Sequence, residues 1–313
     1  MRNYSDEEKP VSAPADRSGP EATGASRSRL PLDLHMHSSV SDGTDTPEAL
    51  LCRVREAGLG LFSLTDHDAA LGCLRIRARL APGDPAFLTG AEFSCKDEEG
   101  KYHILGYGFD PASPPVEKLI GTGHALRMEK VNGRLAFLRS EFGFEFPEEE
   151  LSALLALDNP GKPHIGNLMV KYGYAETKEQ AIRDFIDLAP VEDRYLSPEE
   201  AVRGILEGGG IPVLAHPSLG SGDQYIVGEA MDRRLRRLRD FGLRGVEAFY
   251  SGFTDAMQAE MLAFAEKYGL YVTAGSDFHG RNKPVRLGDN RLDTVREYPK
   301  PLLRFLEAVL PGR

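Results

Sequence analysis

The chain has 313 residues, 41% of them hydrophobic and 27% charged, which suits one large domain or one domain carrying an insertion. Its formal net charge of −10 opposes binding to long nucleic-acid duplexes, so an anionic substrate would need a local source of positive charge. No apolar run approaches the roughly 18 residues that span a bilayer, and three irregularly spaced cysteines (Cys52, Cys73, Cys95) fit a reducing cytoplasm rather than a disulfide framework.

Residues 1–29 are rich in Ser, Ala, Pro, Gly and charge, lack the apolar core of a signal peptide, and read as a disordered tail. Leu32–Met36 reads as a first strand, and Thr46-Pro47-Glu48 opens a helix that runs to Ala57 before Gly58. Leu59–Leu64 is a second strand, 69–81 a helix, Ala86–Phe93 a third strand, and Tyr102–Phe109 a fourth after the turn at 97–100. The alternation then stops. Residues 111–200 carry apolar spacing of three to four near 122–142, 147–157, 163–172 and 177–188, which predicts a helical insertion. It resumes with a helix at 198–208 and the strand Ile211–Ala215. A helix at 229–241 precedes the strand Gly245–Phe249, a helix at 254–268 precedes the strand Leu270–Ala274, and a helix at 301–309 closes the chain. Seven strands alternating with helices predict an α/β barrel or open sheet, whose functional residues gather at strand C-termini. The predicted divisions are a tail over 1–29, a first barrel part over 30–110, a helical cap over 111–200 and a second barrel part over 201–313.

Six of the eight histidines lie on or just after strands. His35 and His37, one residue apart, point to the same face of the first strand, and Asp42 follows in its loop. His67 ends the second strand and Glu92 the third; His103 begins the fourth, which enters the same rim if it runs antiparallel. His216 follows the fifth strand, and Asp277 and His279 follow the last. Each has a bland reading alone: a buried core histidine, a turn aspartate, a salt-bridged glutamate. Together, nine imidazoles and carboxylates exceed what one ion needs and suit two or three Zn, Mn or Fe ions. No cysteine joins them, which argues against a structural zinc site. Cys95, close to Glu92, reads as an ordinary buried thiol. Clustered divalent ions also supply the positive charge that the acidic chain lacks.

His35-Met36-His37, Ser41-Asp42-Gly43, Thr65-Asp66-His67-Asp68, Gly90-Ala91-Glu92, His103, Ala215-His216-Pro217 and Ser276-Asp277-Phe278-His279 resemble the motifs of the PHP (polymerase and histidinol phosphatase) family. The resemblance implies a distorted (β/α)7 TIM-like barrel with a trinuclear metal centre. One ion would take His35, His37, Glu92 and Asp277; a second Asp42, His67 and His279; a third Glu92, His103 and His216. The insertion looks like that of the branch containing nucleotide phosphatases and 5′→3′ exoribonucleases. Gly161-Lys162-Pro163-His164 is similar to that branch's Arg-Pro-His element, with Lys162 where arginine is usual and Asn167 where a basic residue is common.

The expected reaction is hydrolysis of a nucleotide phosphomonoester, or of the 5′ end of a short RNA, by a metal-bridged hydroxide. His164 at a helix start and Arg127 and Arg134, seven apart on one helical face, are candidate phosphate contacts, with Ser94 as a further hydrogen-bonding group. His124 reads as surface, and Arg233-Arg234-Leu235-Arg236-Arg237 as a solvated helix face rather than a nucleic-acid patch. Histidinol-phosphate phosphatase and a non-catalytic binding module are the alternatives; the cap speaks against the first and the full ligand set against the second.

Overall fold

The computed structural model describes residues 29–219 and 225–310, so the tail predicted over 1–29 lies almost wholly outside the described residues. Seven strands form one sheet in chain order: β1 (Leu32–Asp33), β2 (Leu61–Leu64), β3 (Ala86–Asp97), β4 (Gly100–Tyr107), β5 (Ile211–Leu214), β6 (Gly245–Tyr250) and β7 (Tyr271–Gly275). Pairing is parallel except where β4 meets β3 and β5. The sheet curls until its ends meet. Leu34 N donates to Ala274 O at 3.0 Å, Asp277 N to His35 O at 2.8 Å, and His37 N to Phe278 O at 2.8 Å.

That closure explains the first difference from the sequence reading. The regular ladder of β1 stops at Asp33, and Met36 pairs instead with Phe278. His35 and His37 therefore sit in the seam of the barrel, held from both sides. The predicted antiparallel turn is present: β3 and β4 form one long hairpin in which Ser94 pairs with His103, which brings His103 to the same rim as Glu92.

Helices α1 (Pro47–Glu56) and α2 (Leu71–Arg77) follow β1 and β2. Thr46 caps α1 by accepting from Ala49 N, and α2 is shorter at both ends than the predicted 69–81. The insertion is helical as expected, but it opens with one helix, α3 (Pro114–Phe142), that starts eight residues before the predicted 122. Pro114 and Pro115 suit its first turn, and Gly143, at φ 67°, ends it in the left-handed conformation that glycine tolerates. Helices α4 (Glu148–Leu155), α5 (Lys162–Lys171) and α6 (Lys178–Asp184) complete the cap.

α3 belongs to two cores. Its first turns bury Val116 and Leu119 against the barrel, and its later turns bury Val131 and Leu138 in the cap with Leu154, Ile165, Met169 and Ile186. The cap is thus fixed to the barrel by one continuous helix. Helix α7 (Pro198–Glu207) packs on the barrel, burying Val202 and Ile205 there, so a boundary drawn at 200 falls inside a barrel helix. Helices α8 (Gly228–Phe241), α9 (Asp255–Tyr268) and α10 (Lys300–Val309) complete the outer ring.

The arginine run on α8 departs from its solvated reading. Arg234 is only 2% exposed, lies 4.5 Å from the Tyr102 ring centroid and donates to Glu99 O. Arg237 pairs with Asp97 and Glu98. These two side chains clamp the β3–β4 hairpin; the period of α8 turns them inward while their neighbours face out. Among the described residues no helix is long and apolar enough to cross a membrane.

Candidate metal centre

The strand ends bring all nine predicted side chains together. Glu92, at 1% exposure, is the hub. Its Oε2 lies 3.2 Å from His35 Nε2, 3.1 Å from His37 Nε2 and 3.3 Å from His67 Nδ1. Its Oε1 lies 2.8 Å from His103 Nδ1 and 3.1 Å from His216 Nε2. Asp277 Oδ1 faces His35, His37 and His279 at 3.3–3.5 Å. Asp42 reaches His279 Nε2 at 3.2 Å and His67 Nε2 at 3.8 Å.

Three groups have donor atoms close enough to share an ion: His35, His37, Glu92 and Asp277; His37, Asp42, His67 and His279; and His67, Glu92 and His103. The first coincides with the expected set. The second adds His37. The third takes His67 with Glu92 and His103, while His216 stands beside it, 3.4 Å from His103.

The donor chemistry fits divalent cations. Among the described residues, His35 Nε2, His37 Nε2 and His67 Nδ1 are buried without a hydrogen-bond partner, a costly arrangement unless those lone pairs have another use. Surrounding groups fix the tautomers. Glu247 accepts from His35 Nδ1 at 3.0 Å, Leu219 O from His216 Nδ1 at 2.9 Å, and Asp277 O from His279 Nδ1 at 2.8 Å. In all three Nδ1 holds a proton, so that Nε2, once it gives up its own, would turn a lone pair toward a cation among the carboxylates, as metal-binding histidines require.

Glu247 is the residue that the strand-end reading missed. It is fully buried on β6, and besides His35 it accepts from His216 N at 2.8 Å. A glutamate inside the apolar run Gly245-Val246-Glu247-Ala248-Phe249 was the available signal. Gly275 leaves room for this pair, because a Cβ there would meet both His35 and Glu247. Two buried aspartates brace the loops. Asp66 accepts from Ser38 N, Ser38 Oγ and Ser41 Oγ at 2.7–2.8 Å, which fixes the loop carrying Asp42. Asp33 accepts from Ser276 N, Ser276 Oγ and Gly288 N beside Asp277, and burial pushes its carboxyl up to about 6. Asp68, His216 and Asp277 hold positive φ at 48°, 26° and 58°, strained conformations concentrated at this rim.

Burial opposes charge in the cluster; it wins at His67, lowering that imidazole to about 3, while mutual attraction wins at His35, His37 and the three carboxylates. Burial raises and the histidines lower Asp42, Glu92 and Asp277, which end well below the carboxylate range. Asp277 and Glu92 overcome the burial of His37 and hold it at about 9. Metal-free protein at neutral pH therefore keeps protons on His35 and His37, and a cation must displace them. Protons compete below the raised pKa values, so apparent affinity for Mn(II) should climb with pH through about 9, where His37 titrates, with net proton release on binding. Calorimetric titration in buffers of different ionisation enthalpy checks this; pH-independent binding with no proton release would contradict it.

The four predicted substrate contacts lie beside the centre. Arg127 donates from Nη2 to Asp68 at 2.8 Å and lies 3.4 Å from Ser94 Oγ, so Ser94 and Arg127 meet at the barrel–cap junction. Arg134 is 9% exposed, and its Nε and that of Arg127 have no hydrogen-bond partner among the described residues. His164 stands in the first turn of α5, where its Nδ1 accepts from Gly161 N at 3.2 Å, and burial lowers its pKa, with Arg127 adding to the effect. A cavity of about 280 Å³ is lined by Asp42, Arg127, Lys130, Arg134, His164 and Tyr195. Lys130 was not anticipated; its ammonium lies 3.2 Å from the Tyr195 ring centroid, and burial with Arg127 nearby lowers it to about 7. His124 donates to Asp158 O at the surface, as expected.

Similar proteins act on phosphate esters. A 3′,5′-nucleoside bisphosphate phosphatase from Chromobacterium violaceum is 29% identical over 88% of this chain and 96% of its own length. A phosphoribosyl 1,2-cyclic phosphate 1,2-diphosphodiesterase from Eggerthella lenta is 32% identical over 80% and 94%. A 5′-3′ exoribonuclease from Haemophilus influenzae is 27% identical over 84% and 94%. A crystal structure from Bifidobacterium adolescentis, named provisionally as a metal-dependent phosphoesterase, superposes with a TM-score of 0.73 at 26% identity, covering 90% of this chain and 98% of that one. The PHP domain model matches residues 33–196, just over half of the chain, and with the barrel and its rim of imidazoles and carboxylates this makes the protein a member of the PHP domain family and a hydrolase of phosphoric ester bonds.

Proposed function

We propose that this enzyme is a metal-dependent phosphoesterase acting on a nucleotide that bears a second phosphate, either as a phosphatase of a 3′,5′-nucleoside bisphosphate or as a 5′→3′ exoribonuclease on a short 5′-phosphorylated RNA. The supporting observation is the position of the cationic cavity. Asp42 belongs to one of the three ligand groups and also lines the cavity that holds Arg127, Lys130, Arg134 and His164. A substrate with one phosphate at the metal centre would place a second anion among those side chains.

His35, His37, Asp42, His67, Glu92, His103, His216, Asp277 and His279 would hold two or three Mn, Zn or Fe ions. When bound, such ions activate water near neutral pH and neutralise charge on the phosphoryl oxygens. The chain's own groups do the rest. Arg127 and Arg134 bind the non-reacting phosphate with charge-assisted hydrogen bonds. His164, held neutral by burial, contributes a hydrogen bond rather than charge. Ser94 and Asp68 orient Arg127. The unpaired cysteines accord with a cytoplasmic setting.

Histidinol phosphate fits this cavity poorly, because its ammonium would face Arg127, Lys130 and Arg134. A cyclic phosphodiester that also carries a phosphomonoester remains compatible with it, and the similarity to the Eggerthella lenta enzyme favours keeping it as a second substrate. Release of phosphate by Mn(II)-loaded protein from a nucleoside 3′,5′-bisphosphate, a phosphoribosyl cyclic phosphate and histidinol phosphate, and of a 5′-mononucleotide from a 5′-phosphorylated trinucleotide, decides among them. Absence of turnover on all four, or fastest turnover of histidinol phosphate, would reject the proposal.

Arg134→Met should lower kcat/KM for the bisphosphate about tenfold, close to the 1.5 kcal/mol expected for one hydrogen bond to a charged group. The loss should fall on KM, and a nucleoside 3′-monophosphate should be hydrolysed as before. Equal losses on both substrates would place Arg134 outside the second-phosphate site.

A further inference from the structure

The two oxygens of Asp277 have different company. Oδ1 faces His35, His37 and His279. Oδ2 accepts from Tyr250 Oη at 2.9 Å and Lys283 Nζ at 2.5 Å. Both donors come from firm supports. Tyr250 ends β6, with its ring 5.3 Å from that of Phe253 and 5.4 Å from that of His216. Lys283 follows the short turn Gly280–Asn282, which is tied back to the first ligand loop: Asn282 Nδ2 donates to Asp42 O at 2.7 Å and Arg281 N to Thr44 Oγ1 at 3.0 Å.

We propose that Tyr250 and Lys283 are positioning residues that restrict Asp277 to one-oxygen coordination. With Oδ2 occupied by two donors, the carboxylate cannot rotate to present both oxygens to one cation. A cation held by His35, His37, Glu92 and Asp277 would then have room left for water or a phosphoryl oxygen, as catalytic metal sites require. This inference rests on the metal-centre reading and adds to it the two residues that set how Asp277 binds.

The test uses full-length protein with Mn(II) and Co(II). Wild type, Tyr250→Phe, Lys283→Met, the double variant and Lys283→Arg are titrated by calorimetry, and the visible spectrum of each Co(II) form is recorded. Second-layer partners of metal ligands typically contribute roughly 10–100-fold to affinity. Tyr250→Phe and Lys283→Met should each weaken Mn(II) binding about tenfold, at the lower end of that range. The Co(II) bands of the double variant should weaken as its coordination number rises, and Lys283→Arg should restore affinity. The alternative role for Lys283 is an ammonium that merely competes with the cation. Tighter Mn(II) binding by Lys283→Met, or a double variant with wild-type affinity and spectrum, would overturn the proposal. Wild-type protein that binds no Mn(II) would overturn the metal-centre reading itself, and this inference with it.

Discussion

Glu92→Gln should leave a folded protein with almost no activity. The substitution conserves volume, so the packing around β3 is kept, but it removes the charge that meets five imidazoles: His35, His37, His67, His103 and His216. An amide offers one acceptor and one NH₂ group where the wild type offers two anionic oxygens. Whichever way it turns, NH₂ protons point at nitrogen lone pairs intended for cations. Metal clusters supply several kcal/mol of transition-state stabilisation, so kcat/KM should fall by about three orders of magnitude. Bound Mn(II), counted by mass spectrometry of the dialysed protein, should drop by at least one equivalent. His37→Ala should behave similarly, since His37 belongs to two of the three ligand groups. A Glu92→Gln enzyme within tenfold of wild type would mean that Glu92 is not the hub of the reaction.

Much of this centre was legible because its chemistry lies where the fold's periodicity shows. A histidine at a strand end is visible in a sequence when the strand is, and His35, His67, His216 and His279 are marked by apolar runs before them. Asp277 and Asp42 were legible through their neighbours. The antiparallel return of β4 was inferable from the turn at 97–100, and it places His103 opposite Ser94. What escaped notice depends on contacts that local pattern does not encode. The apolar alternation carries the expected first strand on to Met36, whose backbone pairs instead with Phe278, far along the chain. Gly121 and Gly123 interrupt the apolar pattern of α3 and delay its expected start, although Val116 and Leu119 are already packed on the barrel. The dense charge around Arg234 predicts a solvated face; only the hairpin packed against α8 makes it a buried partner of Tyr102. Lys130, Tyr250 and Lys283 gain their meaning from partners 27 to 64 residues away or from a neighbouring loop, and no spacing rule reaches them.

Glu247 shows most clearly what the strand-end logic omits, and its substitution should have the second-largest effect. One carboxylate oxygen accepts from His35 Nδ1 and the other from His216 N, and both donors are fixed: one by the tautomer that metal binding needs, one by the backbone. Glu247→Gln cannot satisfy both. If the amide oxygen takes His216 N, its NH₂ faces His35 Nδ1, which must then give up its proton. The proton moves to Nε2, the atom turned toward Glu92, and His35 can no longer bind a cation there. If the amide turns over, NH₂ meets the His216 N–H, and a buried donor is left unpaired at a cost of about 1–3 kcal/mol. The expected result is a loss of metal affinity and kcat toward the upper end of roughly 10–100-fold, with a lower melting temperature for metal-free protein. Glu247→Asp should recover little, because the shorter side chain cannot span the two donors. Calorimetric Mn(II) titration and steady-state rates at saturating metal check both variants. Wild-type affinity and turnover in Glu247→Gln would show that His35 keeps its tautomer without the carboxylate, and that the residues lining the seam of the barrel orient it alone.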